Sequence, residues 1–240
     1  MTVPEPHRSA GRPRTAVLSR ERILAAAFEL ADVRGSDFTL AALARSLDVR
    51  PSALHHYFAG KDELIAGMRG QLTARVGDHG FATKPWHEAI LPWARVYRTT
   101  FGAHPGIIAA LATLPVADEP ESMVDYERIA AAMRRDGYPE HRIVPALVAI
   151  ECFVIGAALD SLAPEDNLRP LSNTSVVPVL TASERAARTA AGTQGLEVAE
   201  ATFEFGLAAL IAGLRAAGEA EAAASGTGSA PEPPAAQARD

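Results

Sequence analysis

The chain has 240 residues, 48% of them hydrophobic and 6% aromatic, with a formal net charge of −6, which allows one large domain or a small head on a larger body. The single cysteine, Cys152, excludes an internal disulfide and suits a reducing cytosol, so a cytoplasmic location is expected. No apolar run is expected to reach the length of a membrane span, and no apolar stretch follows the first arginines to form a secretory signal. The charge is unevenly spread. Residues 1–61 hold nine basic and six acidic residues, net +3, which leaves −9 on the remainder. A positive head on an acidic body can approach phosphate with one end only.

Residues 1–17 are rich in Pro, Arg and small residues and read as a disordered basic arm. Ser19 is placed to cap a first helix with Leu24, Ala27, Phe28 and Ala31 on one face, ending at Gly35. Thr39 caps a short second helix that ends near Leu47, with Phe38 and Leu43 spaced as a hydrophobic staple. A third opens with Pro51 at its first position, where a missing N–H costs nothing, and runs to about Tyr57. Lys61 begins a fourth, with Asp62 and Glu63 matching the helix dipole and an apolar stripe of Leu64, Ile65, Met68, Leu72 and Val76. Further helices are predicted over 86–103, 106–113, 120–136, 140–162, 181–191 and 195–216. The stretch between Ala163 and Leu180 is too polar for core, and a second disordered tail is expected from 218 to 240. Few strand-favouring runs occur, so the expected fold is all-α.

The segment from Phe38 to Phe58 has the anatomy of two short helices joined by a tight turn. Leu40, Leu43, Ala44 and Leu47 supply the inner face of the first, and small Ala44 permits a close crossing. Val49 plugs the turn, and Leu54 and Phe58 anchor the second helix. Arg50, Ser52, Ala53, His55, His56 and Tyr57 then face outward or partly so, on a helix that fits a major groove. Adjacent residues on a helix diverge by about 100°, so His55 and His56 cannot share a metal, and no metal site is expected.

Residues from about 18 to 70 resemble the N-terminal domain of the tetracycline repressor (TetR) family, with Thr39, Val49, Leu54, Phe58 and Lys61 at matching positions. The chain departs from that pattern at Ala53, where the family often has Thr, and at His55 and Tyr57, where the aromatic–imidazole order is exchanged. More weakly, WHEAILPWARVYRTTFGAHPG, AAMRRDGYPEHRIVPALVAIECFVIGAALD and FEFGLAALIAGL resemble the C-terminal domain of the tetracycline-repressor subclass.

The resemblance implies a three-helix helix-turn-helix head over 18–63 and a helical ligand-binding and dimerisation body over 64–217. It implies a homodimer closed by the helices over 140–162 and around Phe205, Gly206 and Leu207. It also implies a palindromic double-stranded operator and a small-molecule effector of unknown identity that releases the repressor from DNA. Phosphate contacts are expected from Thr39, Lys61, Tyr57 and the arm, and base contacts from Arg50, Ser52, Ala53 and His56, with His55 able to reach a phosphate. Trp93, Tyr97, Phe101, Met123, Met133, Glu151 and Phe153 are candidates to line the effector pocket, and each could equally be ordinary core.

Where the tetracycline repressor binds magnesium through a histidine, this chain has Ala110, and Asp160 alone is insufficient, so magnesium–tetracycline is not the expected effector. His104 is read as the residue that starts the helix at Pro105, and no cofactor is expected. An activator or a ligand-independent regulator stays open. From another class, a helical enzyme or adaptor competes, but the sequence has no HExxH, GxSxG, GxGxxG or P-loop, and Cys152 is expected to be an inert buried thiol.

Overall fold

The computed structural model describes residues 18–116, 119–160, 162–164 and 175–226. The expected arm over 1–17, most of the polar stretch after Ala163 and the end of the expected tail lie outside them. Among the described residues there is no strand. Within the described residues ten α-helices follow one another: α1 (Arg20–Arg34), α2 (Leu40–Ser46), α3 (Pro51–Leu54), α4 (Lys61–Val76), α5 (Trp86–Gly102), α6 (Pro105–Thr113), α7 (Pro120–Arg135), α8 (Glu140–Asp160), α9 (Pro178–Thr193) and α10 (Val198–Gly226).

The starts follow local chemistry. The Ser19 and Thr39 hydroxyls accept from the backbone N–H of Arg22 (3.2 Å) and Ala42 (3.1 Å), and proline opens α3, α6, α7 and α9. Gly35 closes α1 at φ 64°, a left-handed conformation that needs no Cβ.

One buried cluster runs from Ile23 in α1 to Ile211 in α10, so head and body share a continuous core. The head packs on the body through two helices. α4 leaves the head and continues along α5 and α7, while the start of α6 docks against α1 and the 3₁₀ turn Gly35–Asp37. α8 runs through the body with Ile143, Ala146, Ile150, Val154 and Ala158 inward. α10 is tied to α5 by Arg95, which donates to both carboxylate oxygens of Glu204 at 2.6 and 2.7 Å. Arg98 adds a contact to Glu200 and lies over the Phe203 ring.

Three expectations are corrected here. α10 continues ten residues past the predicted end at 216. Gly218 packs against the Tyr138 ring, and Glu221 pairs with His141 and Arg142 at 2.7 Å each. Cys152 is exposed on the outer face of α8, not buried. By length and composition α8 and α10 are apolar enough to cross a membrane, with mean hydropathy 2.1 and 1.2, although no such run was expected. Their outward residues include Val144, Val148 and Phe205, the last 77% exposed.

Candidate nucleic-acid interface

The turn between α2 and α3 is closed by backbone chemistry. Asp48 adopts φ 56°, a left-handed conformation that Asp tolerates better than most residues. It lets the Val49 N–H reach the Ala44 carbonyl (3.0 Å) and the Asp48 N–H reach that of Arg45 (3.2 Å), a Schellman closure of α2. α3 therefore leaves at a fixed angle. Ala44, Leu43, Phe38, Leu54 and Phe58 are all buried beneath it, as their spacing predicts. α3 itself is a single turn, and the chain continues through non-helical turns to Tyr57.

This scaffold presents an outer edge. Arg50, Ser52, His55 and His56 are exposed, Ala53 is half-buried, and Arg45 joins them from the last turn of α2. Among the described residues, none of Arg45, Arg50, His55 and His56 makes an ion pair or side-chain hydrogen bond. Arg45 carried no motif signal; only its exposure beside the turn singles it out.

Two predicted contact residues are engaged inside the protein. The Tyr57 hydroxyl donates to the Leu18 carbonyl at 2.6 Å, and the Tyr57 carbonyl accepts from Arg20, whose guanidinium lies 4.3 Å from the Phe58 ring centroid. Tyr57 thus fastens the turn after α3 to the start of α1. Lys61 donates to the Ser36 carbonyl and lies 5.1 Å from the centre of the Phe38 ring, joining the head of α4 to the turn before α2. Tyr57→Phe should cost about 1 kcal/mol of stability, the net worth of one such hydrogen bond. Denaturant unfolding would measure it, and a loss below a few tenths would mean the bond contributes nothing.

The sequence family described as "Bacterial regulatory proteins, tetR family" matches residues 23–68, and "Tetracyclin repressor-like, C-terminal domain" matches residues 82–217. The chain belongs to the TetR family.

Among curated proteins it is similar to the HTH-type transcriptional repressor DrrR1 of Streptomyces coeruleorubidus, 26% identical over 156 residues, or 62% of this chain. It spans 56% of that relative's length. Among solved structures, a possible TetR family transcriptional regulator from Streptomyces coelicolor A3(2) is 26% identical with a TM-score of 0.62, the match covering 83% of this chain and 100% of that one. ActR of Streptomyces coelicolor, in complex with (S)-DNPA, is 25% identical with a TM-score of 0.64, covering 83% and 98%.

Within the TetR-type C-terminal domain, Trp93, Tyr97 and Phe101 form a ladder on α5, with ring centroids 4.8 and 4.0 Å apart. The four-residue spacing puts them on one face. The Tyr97 and Tyr126 hydroxyls both donate to Glu151, at 3.1 and 2.5 Å, and burial followed by the nearby Glu151 charge pushes both phenols upward in pKa. Met133 is fully buried.

Two other candidates stand apart from this group. Met123 is exposed on the outer face of α7, and Phe153 turns toward α10, stacking on Phe203 at 5.7 Å. His104 precedes α6 as expected, but its Nδ1 also lies 3.2 Å from Asp32 of α1, with its ring 4.4 Å from that of Phe28.

Two residues that sequence reasoning missed organise this domain. Arg69 on α4, 4% exposed, donates to the carbonyls of Leu111, Leu114 and Pro115. Asp125 on α7, 3% exposed, accepts from the Trp93 indole N–H at 2.8 Å, and burial raises its pKa. A charged residue on a helix reads as solvated, so neither carried a signal.

Proposed function

We propose that the chain is a homodimeric, ligand-responsive repressor that binds a palindromic operator through the head over 18–63 and is released when a small molecule enters the body. It is cytoplasmic, and regulation rather than enzymatic catalysis is its role. The observation that carries this reading is the unpartnered edge of Arg45, Arg50, Ser52, His55 and His56 on a helix-turn-helix whose turn is locked. DrrR1 is a repressor and ActR was crystallised with a small molecule, which supports the same reading.

Arg50, Ser52, Ala53 and His56 read bases, with Ala53 offering apolar contact to a thymine methyl. Arg45 and His55 reach phosphate. Thr39 caps α2 with an oxygen lone pair, which leaves its hydroxyl proton for a phosphate, and the α4 N-terminus adds its dipole. Tyr57 and the Lys61 side chain position the reading helix from behind. The outward apolar faces of α8 and α10, Phe205 included, form the four-helix dimer interface.

Binding to the protein's own promoter, titrated with salt, tests the reading. Log affinity should fall linearly with log salt, and Arg50→Ala should cut the operator-to-random preference about tenfold. Equal losses of Arg50→Ala on operator and random DNA would remove Arg50 as a reader. Absence of salt-dependent, sequence-specific binding would sink the regulator itself.

A further inference from the structure

We infer that the cleft between α4 and α7 is a ligand site for a small, largely apolar organic compound carrying one positive charge, with Asp125 as its counter-ion. The inference deepens the ligand-responsive reading and rests on it only for the consequence at DNA.

The cleft measures about 450 Å³, within the range of sites that take drug-sized molecules. Ala74, Pro120 and Val124 supply apolar wall, while Asp78, Glu121 and Asp125 bring three carboxyl groups against the single guanidinium of Arg128. His79 and Arg128 lie near enough to Asp125 to favour its charge, and Asp78 opposes it. Burial outweighs them, so the carboxyl is held above its usual range. A ligand cation would add to the charge of His79 and Arg128 and offset the cost of burial. Among the described residues no three His, Cys, Asp or Glu side chains are grouped to hold a metal ion, and the apolar wall suits an organic cation.

Asp125 also connects the cleft to the body's interior. It holds the Trp93 indole, whose ring lies tilted against Tyr97, which in turn stacks on Phe101. A cation in the cleft therefore meets a carboxylate whose other partner, the Trp93 indole, is buried behind it. α4 and α7 are stitched beside the cleft by the Thr73–Ser122 hydroxyl pair at 2.9 Å and by the Glu119 carboxyl, which sits where a Cβ on Gly70 would be. Spreading the cleft loads these contacts and pulls on α4, whose other end is fixed to the head by Lys61.

Three probes of one shape separate the chemistry: 1-naphthylmethylammonium, neutral 1-naphthylmethanol and 1-naphthoate. Calorimetric titration of the full, DNA-free chain should give the ammonium at least tenfold tighter binding than the alcohol, and the weakest binding for the naphthoate. Asp125→Asn keeps an acceptor for Trp93 and should abolish the preference. Val124→Trp, from an exposed position, should fill the cleft and block the ammonium. Equal or absent binding of the three probes overturns the site, as does an ammonium preference that survives both variants. A parallel operator-binding assay keeps the two readings apart. Wild type that binds operator but no probe overturns the cleft alone, whereas wild type that binds the ammonium but no operator overturns the regulator alone.

Discussion

Arg69→Met is expected to lower the unfolding free energy by about 3 kcal/mol, the largest effect of any single polar substitution argued for this chain. Arg69 is almost wholly buried, and its guanidinium serves the carbonyls of Leu111, Leu114 and Pro115 at the end of α6. The last carbonyls of a helix have no partner of their own and carry the negative end of its dipole. They are backbone groups, so no substitution removes them along with the arginine.

Methionine keeps much of the aliphatic volume but offers no donor. Replacing a buried ion pair with apolar groups is often neutral because both partners go; here one set must stay, and the Leu111 carbonyl is left unpaired in a buried site. Arg69→Lys should recover less than half of the loss, since one ammonium cannot span three carbonyls as a planar fork does. Denaturant midpoints at constant slope would measure both variants. A loss below about 1 kcal/mol for Arg69→Met would mean that water replaces the guanidinium at no cost.

The legible parts of the sequence are those that act locally. Ser19, Thr39 and the prolines at helix starts mark their boundaries because a cap needs only its own turn. The Phe38–Leu43 staple and the small Ala44 mark the helix-turn-helix for the same reason. The far end of α10 was illegible because its Ala-rich sequence has no apolar stripe. It is held by Tyr138 on Gly218 and by His141 and Arg142 on Glu221, partners some eighty residues away.

The reading edge shows the same division. Arg50, His55 and His56 could be placed outward from helix periodicity. That Tyr57 spends its hydroxyl on Leu18, and Lys61 its ammonium on Ser36, depends on how α1 lies across the head. The four-residue spacing of Trp93, Tyr97 and Phe101 predicts a shared face. It does not say that Tyr97 and Phe101 stack, nor that Asp125 reaches the first of the three rings.

Gly106→Ala should be the second large effect, costing about 3 kcal/mol and loosening the head from the body. A Cβ at Gly106 would stand 2.4 Å from the Ala31 carbonyl oxygen and 3.1 Å from the Gly35 Cα. Both neighbours are backbone, and the Ala31 oxygen already accepts from the Gly35 N–H that closes α1. Neither can rotate away as a side chain would, so α6 must retreat from α1 and stretch the His104–Asp32 pair beside it. Gly102→Ala is the matched control, because its Cβ would meet that of Ala158 at an ordinary 3.7 Å. It should be neutral in both stability and operator binding. Under conditions where both variants are fully folded, Gly106→Ala should still weaken operator binding, because docking on α6 helps set where each head sits. A Gly106→Ala chain as stable and as tightly bound to operator as Gly102→Ala would show that the α1–α6 joint transmits nothing, and that α4 alone connects the effector region to DNA.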